Sequence, residues 1–164
     1  MKRPRSIILV VLWFLWAAGK DLDTLARFST TSDYYILSAA GLPWLFFVMA
    51  AVVFLLNAAG TYYLFRPSLA GYPVLLTALG AGVLQNLVTL AVALHDLPGA
   101  RRAYEIGREL RGLPVRQEAL DMIFTRGAVW TSAILSLVVY AAVAWLVHRN
   151  RFVFLGPAGH SAEA

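Results

Sequence analysis

The fold follows from residues 43–94, which read PWLFFVMAAVVFLLNAAGTYYLF (43–65), RPSLAG (66–71) and YPVLLTALGAGVLQNLVTLAVAL (72–94). The two long segments carry no charge, and each exceeds the roughly 20 apolar residues that a helix needs to cross a bilayer core of about 30 Å. Pro43 suits the first turn of a helix, where its missing N–H costs nothing. The stretch therefore predicts a helical hairpin in a membrane.

The composition of the whole chain is also typical of a membrane protein. Of its 164 residues, 60% are hydrophobic and 14% are charged, whereas soluble domains have about 45–50% apolar residues. A soluble chain of this length could not hide so much apolar surface from water. The chain has no cysteine, which excludes disulfides, thiol redox chemistry and thiolate metal sites.

Two further segments are predicted to be membrane helices. The first has the outline of a signal peptide, but cutting after Ala18 would put Trp16 where a small side chain is needed, so we expect a retained helix. We predict an all-α, integral membrane four-helix bundle that forms a single domain over residues 1–155, with a flexible tail at 156–164. The predicted helices are about 6–28, 43–65, 72–95 and 127–148.

The most polar stretch, residues 99–126, joins the third and fourth long helices. Apolar residues recur at helical spacing on both sides of the break at Gly112-Leu113-Pro114. This predicts two short amphipathic helices that lie on the membrane or on the end of the bundle. The apolar faces are Ala103, Ile106, Gly107 and Leu110 in the first and Val115, Ala119, Met122 and Ile123 in the second. Tyr34–Leu42, before the second long helix, is interpreted as a short interfacial segment.

An outer polar cluster is predicted at the ends of the first and third long helices; its members are Lys20, Asp23, Arg27, His95 and Asp96. In one interpretation the three charges of the first helix pair with each other and extend to water. In the other they form a polar mouth on the bundle. A metal site would need more ligands than His95 and Asp96 supply, and no ligand spacing supports one. We therefore expect no metal.

Polar side chains are few inside the predicted crossings, and we expect no Asp, Glu, Lys, Arg or His deep in any of them. A rise of about 1.5 Å per residue places Ser136 near the depth of Gln85 and Asn86, and Tyr140 near Asn57. Such residues can join membrane helices by hydrogen bonds. Alternatively they line a small cavity for a ligand or a lipid head group. The candidate ligand-binding residues are Asn57, Gln85, Asn86, Ser136 and Tyr140.

Three short stretches carry a resemblance. They are Lys2-Arg3-Pro4-Arg5-Ser6-Ile7 before the first helix, Tyr63-Leu64-Phe65-Arg66-Pro67 at the end of the second and Trp145-Leu146-Val147-His148-Arg149 at the end of the last. This layout resembles small uncharacterised bacterial inner-membrane proteins with four crossings. Those proteins have no assigned activity, so the resemblance implies topology and location but no function.

The basic residues indicate the orientation of the chain. The end that holds both termini carries the whole net charge of +5, whereas at the other end acids, Asp21 among them, balance the basic residues. Basic residues before the first membrane helix favour the cytoplasmic side. We therefore expect a multi-pass protein of the bacterial inner membrane with both termini in the cytoplasm.

Several functions compete at this point. Without a deep ionisable residue, proton-coupled transporters and intramembrane proteases are disfavoured, and the missing basic stripe argues against nucleic acid. The leading hypothesis is a non-enzymatic accessory or assembly subunit that binds another membrane protein or a second copy of itself. The alternative is a small-molecule or lipid-binding or transport bundle that uses the polar seam between the second, third and fourth long helices. The third is an enzyme using His95, Asp96 and loop acids. We expect no catalytic residue and no cofactor. The expected partners are the lipid bilayer and either another membrane protein or a second copy of this chain, and nucleic acid is not among them.

Overall fold

The structure is a computed structural model, and it describes residues 5–155. These residues form helices and turns, with no strand among them. The helices are α1 (Arg5–Ala26), α2 (Ser32–Ala39), α3 (Pro43–Phe65), α4 (Gly71–His95), α5 (Leu97–Glu109), α6 (Gln117–Ile123), α7 (Arg126–Arg149) and α8 (Phe152–Leu155). The basic start of the chain before Arg5 and the predicted tail at 156–164 lie outside the described residues.

Three helices, α3, α4 and α7, are long and apolar enough to cross a membrane. Helix α3 has the predicted bounds and begins with Pro43 in its first turn. Helices α4 and α7 begin one residue before their predicted starts, and α7 also ends one residue later. Many large apolar side chains on these helices are exposed, such as Leu55 and Leu135. Hydrocarbon is a favourable solvent for such side chains, and a helix satisfies its own backbone hydrogen bonds there.

Helix α1 ends at Ala26 instead of the predicted residue 28, because Phe28–Thr30 tightens into a 3-10 turn. Its 22 residues give a length of about 33 Å. Helix α1 includes the three charged residues Lys20, Asp21 and Asp23, and it is not among the three helices that are long and apolar enough to cross a membrane. It nevertheless packs along α3.

The four long helices contact one another in a closed order: α1 packs on α3, α3 on α4, α4 on α7, and α7 on α1. Phe14 of α1 and Leu75 of α4 are fully buried between them. Both side chains meet at Gly60 of α3, where a Cβ would lie 3.0 Å from each. A glycine at this position therefore allows α1, α3 and α4 to approach closely.

Hydrogen bonds tie the helices together at the end that holds the termini. Ser6 Oγ of α1 donates to Oδ1 of the buried Asn150, which follows α7, over 2.9 Å. Tyr72 of α4 and His148 of α7 are joined through the Tyr72 hydroxyl and the Nδ1 atom over 2.8 Å. These contacts fix the ends of α1, α4 and α7 relative to one another.

Helices α2, α5 and α6 cover the opposite end. Helix α2 packs on α5 and α3, and the buried face of α5 is Ala100, Ala103 and Gly107. Ile106 and Leu110, predicted on that face, are exposed, because the contact with α2 selects the small residues for close packing. The side chain of Arg101 bonds to Glu105 on its own helix and to Gln117 and Asp121 of α6, which attaches α6 to α5.

Candidate functional site

The carboxylate of Asp21 lies against the central part of α3. Its Oδ2 accepts a hydrogen bond from Nδ2 of Asn57 over 2.7 Å, and Asn57 is only 5% exposed. The midpoint of Pro43–Phe65 is residue 54, so Asn57 is displaced from it by about 4.5 Å along the axis. We expected no acidic side chain deep among the long helices, and this expectation is wrong. Asp21 contacts Asn57 near the middle of α3 instead of lying with the other charged residues of α1.

Helical geometry separates Asp21 from its charged neighbours in the sequence. Lys20 places its Nζ 5.7 Å from the centroid of the Trp16 ring. Asp23 and Arg27 form an exposed ion pair of 3.0 Å. Successive residues on a helix point in different directions, and side chains lean toward the N-terminus of their helix. The lean of α1 carries the Asp21 side chain away from the outer end and toward Asn57.

Tyr140 of α7 and Asn86 of α4 form a second polar pair. The Tyr140 hydroxyl lies beside the Asn86 side chain and within electrostatic range of Asp21. The Tyr140 ring meets Trp13 of α1 edge to face, with 5.5 Å between centroids. Gly82 leaves room for this ring, since a Cβ there would lie 2.6 Å from the hydroxyl oxygen. We call Asp21, Asn57, Asn86 and Tyr140 the polar layer.

A cavity of about 290 Å³ lies beside the polar layer, between α4 and α7. Asn86 belongs to both the layer and the cavity. The other polar lining residues are Thr89, Ser132 and Ser136, and most of the rest are apolar, including Leu90 and Leu137. Ile123 of α6 reaches the lining at the end where α7 begins. The cavity therefore combines four polar side chains with a larger number of apolar ones.

The structure brings four of the five candidate ligand-binding residues into the layer or the cavity. Asn86 and Ser136, predicted at one depth, line the same cavity. Asp21 accepts a hydrogen bond from Asn57 and acts electrostatically on Tyr140. Gln85 lies outside the cavity lining. The seam thus includes α1 as well as the three predicted helices, and ligand binding by these residues stays a prediction.

Sequence reasoning missed Asp21, although one signal could have found it. Asp21 follows Ser6 by 15 residues in one continuous helix, which corresponds to about 22 Å. This distance is shorter than a bilayer core of about 30 Å. Counting along the helix from its start would therefore have placed Asp21 inside the apolar layer.

The predicted outer polar cluster divides into two groups. Lys20, Asp23 and Arg27 stay on α1, whereas Asp96 caps α5 by accepting a hydrogen bond from the N–H of Gly99 over 2.9 Å. His95 and Asp96 line a separate cavity of about 550 Å³ between α2, α4 and α5. Across residues 5–155, no three His, Asp or Glu side chains come together in a group that could hold a metal ion.

Asp33 in the first turn of α2 is half-buried near the C-terminal end of α1. Burial raises the pKa of its carboxyl above the usual value, and the positive charge of Lys20 opposes this rise. The folded chain therefore holds a proton on Asp33 more tightly than the unfolded chain does.

Comparisons of this protein with family models, with curated proteins and with solved structures gave no match. The polar layer and its cavity, both built by the long helices, are thus the features that indicate a function.

Proposed function

We propose that this protein is a multi-pass membrane protein whose four long helices form a bundle that binds a small amphipathic molecule or a lipid. The observation that carries the proposal is the polar layer, to which α1, α3, α4 and α7 each contribute one side chain. Polar groups in hydrocarbon are costly, and they are typical of sites for substrates or ions. The adjoining cavity gives such a molecule a place for its apolar part.

The dimensions of the cavity support an amphipathic occupant. Its lining extends along α4 from Asn86 to Ala93 and along α7 from Ala128 to Leu137. At about 1.5 Å per residue these segments are roughly 10 and 14 Å long, enough for part of an acyl chain. The polar end of the occupant then lies in the polar layer, beyond Asn86, and the hydroxyls of Ser132 and Ser136 offer hydrogen bonds to its linkage groups.

We place the protein in the bacterial inner membrane, with α1 as the fourth crossing and both termini in the cytoplasm. The length of α1, about 33 Å, and its packing along α3 support the fourth crossing. The basic residues near the termini, among them Arg66, Arg149 and Arg151, support the orientation. Helices α2, α5 and α6 then cover the outer end of the bundle.

The test is to purify the whole chain from its membrane in mild detergent and to identify co-purifying small molecules by mass spectrometry. Asn86→Leu and Ser136→Leu should each remove the bound molecule, because they replace polar groups at the cavity. Thr77→Leu is the matched control, since Thr77 is an exposed polar residue of α4 outside the cavity. Equal retention by all three variants, or no bound molecule in the wild type, would overturn the proposal.

A second candidate function is that of a non-enzymatic accessory or assembly subunit. It is favoured by α7, whose apolar stretch is only 6% buried, against 28% for α3 and 22% for α4. We propose that one transmembrane helix of a partner membrane protein packs on α7 and covers the exposed Leu135 and Val138. A photo-crosslinker at position 135 should capture a stoichiometric membrane protein, whereas one at the exposed Leu55 of α3 should not. Capture of a second copy of this chain, or of lipid at both positions, would contradict a separate partner.

A further inference from the structure

The polar layer contains one acidic group that the described part of the chain does not pair with a cation. Asp21 uses Oδ2 to accept the hydrogen bond from Asn57. None of the ion pairs within residues 5–155 involves Asp21. Lys20 acts on it electrostatically, but its ammonium packs over Trp16. A carboxylate in apolar surroundings is stable only with a proton or with a cation close by.

The groups around Asp21 also suit a positive charge. With Nδ2 of Asn57 donating to Asp21, the amide oxygen of Asn57 stays free to accept. Tyr140, which lies within electrostatic range of Asp21, offers its hydroxyl oxygen as a second acceptor, and its ring meets that of Trp13 edge to face. Aromatic faces attract ammonium groups, especially where water is excluded. An anionic ligand would be repelled by the Asp21 carboxylate, and no side chain of the polar layer is a cation that could attract it.

We propose that the polar end of the molecule bound at the polar layer is an organic ammonium group and that Asp21 is its counter-ion. This inference rests on the proposed function and names the charge of the ligand. The ammonium lies between Asp21 and the rings of Trp13 and Tyr140. The apolar part of the ligand passes Asn86 and enters the cavity between α4 and α7.

The test compares two probes that differ in charge alone. The whole chain is placed in phosphatidylcholine nanodiscs, and saturable binding is measured by equilibrium dialysis. The probes are benzyltrimethylammonium, whose charge does not titrate, and neopentylbenzene, its uncharged carbon isostere. We expect the ammonium probe to bind at least about tenfold more tightly than the isostere, because it gains the carboxylate and the ring faces.

Two substitutions on α1 locate the charge that matters. Asp21→Asn should weaken binding of benzyltrimethylammonium at least about tenfold, whereas Asp21→Glu should keep most of it because the charge is retained. Asp23→Asn is the matched control, since Asp23 is exposed and paired with Arg27. If Asp21→Asn does not fold, as judged by size-exclusion chromatography, the comparison of the two probes on the wild type decides alone.

The outcomes separate this inference from the proposed function. Equal affinity of the wild type for both probes, or equal binding of the ammonium probe by Asp21→Asn and Asp23→Asn, would overturn the inference. If Asn86→Leu then still strips a co-purified molecule, the proposed function stands and its ligand is uncharged at the layer. If the ammonium probe binds neither the wild type nor the variants, and Asn86→Leu removes no co-purified molecule, then both the inference and the proposed function are wrong.

Discussion

Replacing Gly82 with alanine tests whether α4 and α7 lie as close together as the structure places them. A Cβ at position 82 would lie 2.6 Å from the Tyr140 hydroxyl oxygen and 2.9 Å from its Cε1. Favourable contacts between carbon atoms lie at about 3.5–4.0 Å. The ring cannot easily move aside, because the Trp13 ring packs edge to face against it. We therefore expect Gly82→Ala to strain the contact between α4 and α7.

The magnitude follows from a comparison with Gly80, two residues earlier on the same helix. A Cβ at Gly80 meets nothing within 4 Å. Both substitutions gain about 0.5–1 kcal/mol from the higher helix propensity of alanine. Overpacking adds a cost of about 1–3 kcal/mol at position 82 alone. The propensity gain cancels in the comparison, so Gly82→Ala should be less stable than Gly80→Ala by about 1–3 kcal/mol.

The assay is the titration of both purified variants with sodium dodecyl sulfate from a mild detergent, followed by tryptophan fluorescence. All five tryptophans contribute to the emission, so it reports on unfolding of the whole chain, and Trp13 is the one that packs against Tyr140. We expect Gly80→Ala to unfold at or above the wild-type detergent fraction and Gly82→Ala to unfold below it. Equal unfolding of the two variants would refute the close approach of α7 to Gly82.

Two further predictions concern the end of the molecule that α2, α5 and α6 cover. Burial raises the pKa of the Asp33 carboxyl above its usual 3.8. The protonated carboxyl therefore contributes to the stability of the fold, fully below pH 3.8, and this contribution is lost as the pH rises through the pKa of the folded state. When the unfolding temperature is measured against pH, Asp33→Asn should no longer show this decrease, whereas the control Asp23→Asn should still show it. Parallel curves for the wild type and Asp33→Asn would contradict the burial of this carboxyl. In Gly107→Ala, a Cβ would lie 2.9 Å from Ser32 Oγ and 3.2 Å from the carbonyl oxygen of Thr30, so the packing of α5 on α2 should lose about 1–3 kcal/mol. Hydrogen exchange of the amides in α2 and α5 should become faster than in the control Gly127→Ala, where a Cβ meets nothing within 4 Å; unchanged exchange would show that this contact does not hold the two helices together.

The candidate site was only partly predictable from the sequence. Depth counting placed Asn86 and Ser136 together, and both line one cavity, because rise per residue is constant within a helix. The same counting included Gln85, which lies outside that cavity, since depth does not specify which way a side chain points. Asp21 was missed because its position depends on how far α1 extends alongside α3.

The sequence by itself determined the helical segments and their membrane character. Hydropathy, segment length and the breaks at Pro43 and Arg66-Pro67 are local properties, so they can be read without knowledge of the packing. The tertiary structure alone decided which polar groups meet. Asp21 and Asn57 are 36 positions apart in the chain, and their contact depends on the register and rotation of α1 against α3. Hydropathy contains no information on either quantity, because an apolar helix is equally favourable in lipid at many rotations about its axis. Close packing of small residues and polar contacts between helices determine which rotation is adopted.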